Sequence, residues 1–191
     1  MKKSFLLVIF IFPLLVGFVA NKITGEDRLS VFDGYPVPTD ENMIFYIQKS
    51  YNQNTVVYAA NIGEDGKLDP KNPVLAYWRR YQEEGQKREL KYFERTFGYG
   101  VHSKSLKGKD NTYTFTIVSL KDMNFVITQS KSGKPIVATT INGKHANLER
   151  VYVTAEHVKI VPTVFYVEVF GKELKTHQFV YQKYIQKEQK N

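Results

Sequence analysis

The chain is predicted to be mainly β: an antiparallel meander closing into a barrel-like or sandwich domain, with one short α-helix. Three observations carry this. Period-two alternation recurs through the second half, as in Tyr113, Phe115 and Ile117 against Thr112, Thr114 and Thr116. Tight-turn residues punctuate it, most clearly Asn142-Gly143, where both residues tolerate positive φ. Only one window, Gln86 to Phe97, has helical spacing of apolar residues.

Ahead of the domain, Lys2 and Lys3 precede an uncharged apolar run from Phe5 to Ala20, the pattern of an export signal. Sixteen uncharged residues are short for a bilayer span, which needs roughly 20. Ala20 suits a cleavage site, whereas Phe18 is too large for the small-x-small rule, so a removed signal and a retained anchor both stay open. With no cysteine, lipid anchoring through a thioether, disulfides and thiolate metal sites are excluded. No Asn-x-Ser/Thr triplet occurs, which fits a bacterial periplasm or cell surface better than a eukaryotic secretory route. Membrane contact is expected only through residues 1–20, if they are retained.

Residues 21–42 have no periodicity and contain Gly34, Pro36 and Pro38, an extended leader. The single β-rich domain spans residues 43–185. Met43 to Gln48 and Thr55 to Ile62 flank an Asn-rich turn and form a hairpin, with Val56, Tyr58, Ala60 and Ile62 on one face. Gly63 to Pro73 is a loop, and Val74 to Tyr81 a strand holding the only tryptophan, Trp78. Over Gln86 to Phe97, Leu90, Phe93 and Phe97 form an apolar stripe and Glu84 can pair with Arg88; a hairpin turning at Gly85 is the competing reading. Met123, Phe125 and Ile127 continue the alternation, Ile136 to Ile141 enters the Asn142-Gly143 turn, and Leu148 to Ala155 places Val151, Val153 and Ala155 together. Thr163 to Phe170 and Leu174 to Tyr184 flank Gly171-Lys172, read as a further tight turn; a polar tail follows at residues 186–191. Nine or ten strands in sequence must curl or split into two sheets to protect their edges.

The net charge of +8 is spread over turn lysines such as Lys104, Lys107, Lys109, Lys131 and Lys134 rather than gathered in a stripe, so no nucleic-acid partner is expected. Asp65 and Asp69 in the 63–73 loop lack the calcium pattern, since Lys67 stands in the middle and Ala76 at the twelfth position. His102, His145, His157 and His177 form no zinc motif, so neither metal nor cofactor is expected. There is no Gly-x-Ser-x-Gly elbow. Acid–base chemistry would have to come from Glu84, Glu89 or Glu94 facing one another across a cleft.

The densest unusual chemistry is Trp78-Arg79-Arg80-Tyr81. On a strand, Trp78 and Arg80 share one face, able to stack a ring or grip an anion, while Arg79 and Tyr81 share the other. The competing reading is a buried aromatic anchor whose arginines pair with Glu83, Glu84 or Glu89. Trp78, Arg80, Tyr81 and Arg88 are the ligand-binding candidates. The leading expectation is non-catalytic binding of a small ligand or an envelope component; a protein-interaction or structural domain is the alternative, and a carboxylate-based hydrolase a third.

Ile44-Phe45-Tyr46-Ile47-Gln48-Lys49-Ser50, Asn54-Thr55-Val56-Val57-Tyr58, Asp65-Gly66-Lys67-Leu68-Asp69, Asn72-Pro73-Val74, Tyr77-Trp78, Arg80-Tyr81 and Glu94-Arg95-Thr96-Phe97-Gly98-Tyr99-Gly100 give the chain a resemblance. Together these segments resemble the exported bacterial family designated domain of unknown function 4833. The likeness covers roughly residues 43 to 185 and is densest before Val101. It implies a single exported domain and brings no activity, cofactor or catalytic residue with it.

Overall fold

The computed structural model describes residues 34–156 and 162–185. The expected signal (1–20), the first part of the leader and the polar tail (186–191) lie outside the described residues. Among the described residues eleven strands form one curled, mixed sheet, a half-barrel. Among the described residues, no helix is long and apolar enough to cross a membrane.

The first four strands, β1 (Met43–Lys49), β2 (Asn52–Ala60), β3 (Val74–Arg79) and β4 (Lys87–Glu89), form an antiparallel arm. A short helix, α1 (Tyr92–Glu94), runs into a wide π-type turn, Arg95–Tyr99. A second arm follows: β5 (Val101–Ser105), β6 (Tyr113–Ile117), β7 (Phe125–Gln129) and β8 (Pro135–Ile141). The long β9 (Lys144–Glu156) carries both arms on one edge. Its first residues pair with β8 and Arg150–Val153 pair with β1, while β10 (Thr163–Glu173) and then β11 (Phe179–Ile185) occupy the other edge.

The β1–β9 pairing is parallel, so the chain is not a pure antiparallel meander. Period-two alternation fixes which side chains share a face but not strand direction, and the long excursion from β1 to β9 leaves the parallel pairing open.

Alternation built the core as expected. Val56, Tyr58 and Ala60 of β2, Phe115 and Ile117 of β6, Phe125 and Ile127 of β7 and Val151 of β9 all enter one buried cluster between the arms. Phe45 stacks on Tyr58 at 4.5 Å between ring centroids and reaches Phe125 at 6.0 Å, joining the arms. The Asn142-Gly143 turn forms with φ of 49° and 74°.

Two expected elements differ. The Gln86–Phe97 helix is mostly absent because the chain reverses at Gly85, whose φ is +74°. Gly85 donates to the Arg80 carbonyl and Arg80 to the Gln86 carbonyl, which sets Lys87–Glu89 antiparallel to Tyr77–Arg79. No helical ladder can begin before Lys91, and only α1 and the π-type turn remain. Of the apolar stripe, Leu90 is buried, whereas Phe93 and Phe97 are 57% and 78% exposed.

The turn expected at Gly171-Lys172 is instead strand interior: Gly171 pairs with Leu148 on one side and Val180 on the other, and the chain reverses after Glu173. Glycine is required by close approach, since a Cβ there would lie 2.3 Å from the Asn147 carbonyl oxygen.

The described end of the leader is strapped across the first arm and β9. Gln48 donates to the Pro36 carbonyl at 2.9 Å, and the Tyr35 ring meets Tyr152 edge-on at 6.2 Å. Asp40 accepts from Tyr77 Oη at 2.8 Å and from both Nε and an NH2 of Arg79.

Candidate functional site

In β1 the inward positions run Phe45, Ile47, Lys49, so period two delivers a lysine to the end of an apolar row. Lys49 is 6% exposed, and its amine emerges at the mouth of the half-barrel. Its backbone is pinned from two sides. Lys49 pairs with Asn52 across the hairpin and with Val153 of β9, and Ser50 locks the turn: its Oγ donates to the Ala155 carbonyl at 2.9 Å and accepts from the Ala155 N–H at 3.0 Å.

Three aromatic rings surround the amine. Lys49 Nζ stands 4.1 Å from the Trp78 ring, 5.0 Å from Tyr51 and 5.7 Å from Tyr99. Trp78 meets Tyr99 edge-on at 5.2 Å, and the Tyr99 carbonyl accepts from Tyr58 Oη at 3.0 Å, which ties the π-type turn to β2. Among the described residues Lys49 makes no ion pair.

Burial drives the Lys49 pKa down to about 7; the nearby Glu94 carboxylate opposes this and Arg80 reinforces it. The ring faces also favour the ammonium, by about 0.5–2 kcal/mol, which at about 1.4 kcal/mol per unit raises the pKa by at most roughly 1.5. Lys49 therefore remains far more easily deprotonated than a solvent lysine. Burial pushes the Tyr51 and Tyr99 phenols up, so neither supplies a phenolate near neutrality.

Lys49 opens into a groove of about 910 Å³ that it shares with Tyr51, Asn54, Trp78, Arg80, Glu156 and Phe165. Asn54 positions one wall: its amide donates to Gln82 Oε1 and accepts from the Gln82 N–H, fixing the turn that carries Arg80. Phe165 adds a half-exposed apolar rim.

Of the candidates read from the sequence, Trp78 and Arg80 come together in this groove on the face expected of them. Trp78 is at once core, at 5% exposure, and groove wall. Arg80 forms an ion pair with Glu83, as the competing reading had it. Arg88 lies opposite Trp78 across the β3–β4 pairing, 5.9 Å from its ring, and bonds Glu94 at 2.7 Å. The expected Glu84–Arg88 pair does not form, since no helix joins them. Tyr81 does not reach the groove; its ring packs beside Gly85, on the side of Arg79 and Asp40.

The three glutamates do not assemble a catalytic pair. Glu89 lies opposite Tyr77, on the face away from Trp78, while Glu94 is engaged by Arg88 on the Trp78 face. Glu94 stays ionised, because the bonds from Arg88 and from the Lys91 N–H outweigh the burial that would raise its pKa. In the 63–73 loop, Asp65 accepts from the Lys67 N–H and Asp69 from those of Lys71 and Asn72, so both carboxylates serve turns. Among the described residues no three acidic or histidine side chains gather as metal ligands.

Lys49 escaped sequence reasoning although its signal was present, as the third member of the Phe45–Ile47 row. A lysine beside a predicted turn reads as solvated, and only the fold brings Trp78 and Tyr99 over it.

The sequence model of the family described as Domain of unknown function (DUF4833) matches residues 45–183, and the chain belongs to that family. No curated protein and no solved structure matches the chain.

Proposed function

We propose that this member of the DUF4833 family is a non-catalytic binder of small organic anions, with the Lys49–Trp78–Arg80 groove as its site. The observation that carries the reading is the Lys49 amine. It is buried among rings, has no carboxylate partner among the described residues, and faces an open groove beside the Arg80 guanidinium. A buried cation is costly unless compensated, and an incoming carboxylate or phosphate supplies the missing counter-charge. Trp78 and Phe165 offer apolar surface to the rest of the ligand, while Glu156 on the rim disfavours polyanions. The cationic start and apolar run ahead of the domain support an exported protein that meets its ligand in a bacterial envelope.

Anion binding holds Lys49 protonated, so affinity must fall as pH rises above the pKa of the free amine. Titration calorimetry with benzoate and phenyl phosphate, against benzylamine, tests the reading. Both anions should bind more weakly at pH 9 than at pH 6, and Arg80→Ala should weaken both. Equal binding of benzylamine, or no binding of either anion, would overturn it.

A further inference from the structure

We propose that Lys49 is also a covalent capture point, its ε-amine condensing reversibly with the aldehyde or ketone of a small oxo acid to form an imine. The inference rests on reading the groove as a ligand site, and names the ligand class more closely.

The geometry supplies what such a lysine needs. The amine is desolvated by Trp78, Tyr51 and Tyr99, and its strand is fixed by β9 and by the reciprocal Ser50–Ala155 bonds. The charged groups around it are Glu94, held by Arg88, Arg80, held at one edge by Glu83, and Glu156 on the groove rim. Glu94 is occupied and Arg80 repels a second cation, so the neutral amine is accessible near neutral pH. Its pKa of about 7 leaves about half of it unprotonated there, and a few per cent if the ring faces raise the value as far as they can. An exposed lysine, with a pKa near 10.4, is neutral in only about one molecule in 2,500 at that pH.

In the proposed step the nitrogen lone pair attacks the carbonyl carbon and a C–N bond forms. A proton passes from nitrogen to the alkoxide oxygen, giving the carbinolamine. The hydroxyl takes a proton from solvent and leaves as water while the nitrogen lone pair forms C=N, and the protonated imine, carrying that charge, sits among the ring faces, where cations are stabilised. Hydrolysis reverses each step, so no oxidant, reductant or co-reactant is required. Arg80 is placed to take the carboxylate of the oxo acid.

The experiment uses the full chain, glyoxylate as the probe and cyanoborohydride to fix any imine, at about pH 7, followed by peptide mapping. Lys49 should be labelled at least tenfold faster than any surface lysine, and this selectivity should vanish in urea. Labelling of Lys49 no faster than surface lysines would overturn the proposal. Glycolate, which keeps the carboxylate but has no carbonyl, separates the two readings. If glycolate binds and shields Lys49, which is otherwise labelled selectively, both stand. If Lys49 is labelled selectively but glycolate neither binds nor shields it, the imine stands and the anion site falls. If glycolate binds without selective labelling, the imine falls and the anion site stands.

Discussion

Lys49 and Trp78 form a cation–ring pair at the mouth of the half-barrel, with Nζ 4.1 Å from the indole. Trp78 is the sole tryptophan, so it reports on its neighbour without interference. Its emission should be blue and protected from acrylamide, as its 5% exposure requires. Its intensity should titrate between about pH 7 and 8.5 as Lys49 loses its proton. In Lys49→Met the profile should be flat across that range. A wild-type profile equally flat would show that the amine near the ring does not change charge there.

The same burial makes Lys49 a cost to the fold. Its folded pKa lies below its unfolded value, so the unfolded chain binds more protons between about pH 7 and 10.4, and this residue's contribution to stability improves as pH rises through that window. Lys49→Met should therefore stabilise the protein by about 1–2 kcal/mol near neutrality. The gain should shrink toward pH 10 while anion binding is lost throughout. Urea denaturation at several pH values measures both trends.

Asp40 has the opposite sign. Burial works against its charge, but hydrogen bonds from Arg79 and Tyr77 together with Arg79's charge win, and its pKa is held below the ordinary value. Its contribution is complete above the unfolded pKa of about 3.9 and is lost as pH falls through the lower folded value. Asp40→Asn should cost about 2 kcal/mol at neutral pH and progressively less in acid, read by denaturant unfolding at each pH.

Much of the fold was legible because its strands are short and one face is apolar. Tyr113-Thr-Phe115-Thr-Ile117 and Phe125-Val-Ile127 declare their inward face in the order of the letters, and those inward residues are buried. Asn142-Gly143 declares its turn through backbone preference alone. Gly171 misled for the converse reason: a glycine needed for close approach and a glycine needed for a turn are written alike, and only the Asn147 carbonyl distinguishes them. The site was half visible. Trp78 and Arg80 are two residues apart, one on β3 and the other just past its end, whereas Asp40–Arg79 and the ring box over Lys49 unite positions separated by tens of residues, for which local patterning carries no signal.

Two glycines put the close-approach argument to a direct test. Gly171→Ala drives a methyl against backbone and should lower stability by about 1–3 kcal/mol. Gly98→Ala meets no atom within 4 Å and carries no positive φ, so it should be neutral or slightly stabilising. Similar melting temperatures for the two variants would contradict the packing at Asn147.

Phe93 and Phe97 project from the helical turn rather than into the core. Phe93→Ser and Phe97→Ser should each change stability by less than about 0.5 kcal/mol, as exposed substitutions do. Leu90→Ala, one turn away and buried, should cost about 2–5 kcal/mol. Chemical denaturation of the three variants would show whether the helix stripe inferred from spacing has any packing role; a large loss in either serine variant would restore it.

The parallel junction of β1 with β9 sets an order of events during synthesis. Ser50 is bonded to Ala155, a partner made 105 residues later. At roughly 5–20 residues per second, the first arm waits on the order of 5–20 s before its closing strand exists. Through that interval β1 presents an unpaired edge, a surface suited to a holding chaperone and hazardous without one. The lysine box is among the last features completed, since Lys49 cannot be pinned until Val153 arrives. A nascent chain halted before that residue would hold Lys49, Trp78 and Tyr99 without the strand that fixes the lysine among the rings.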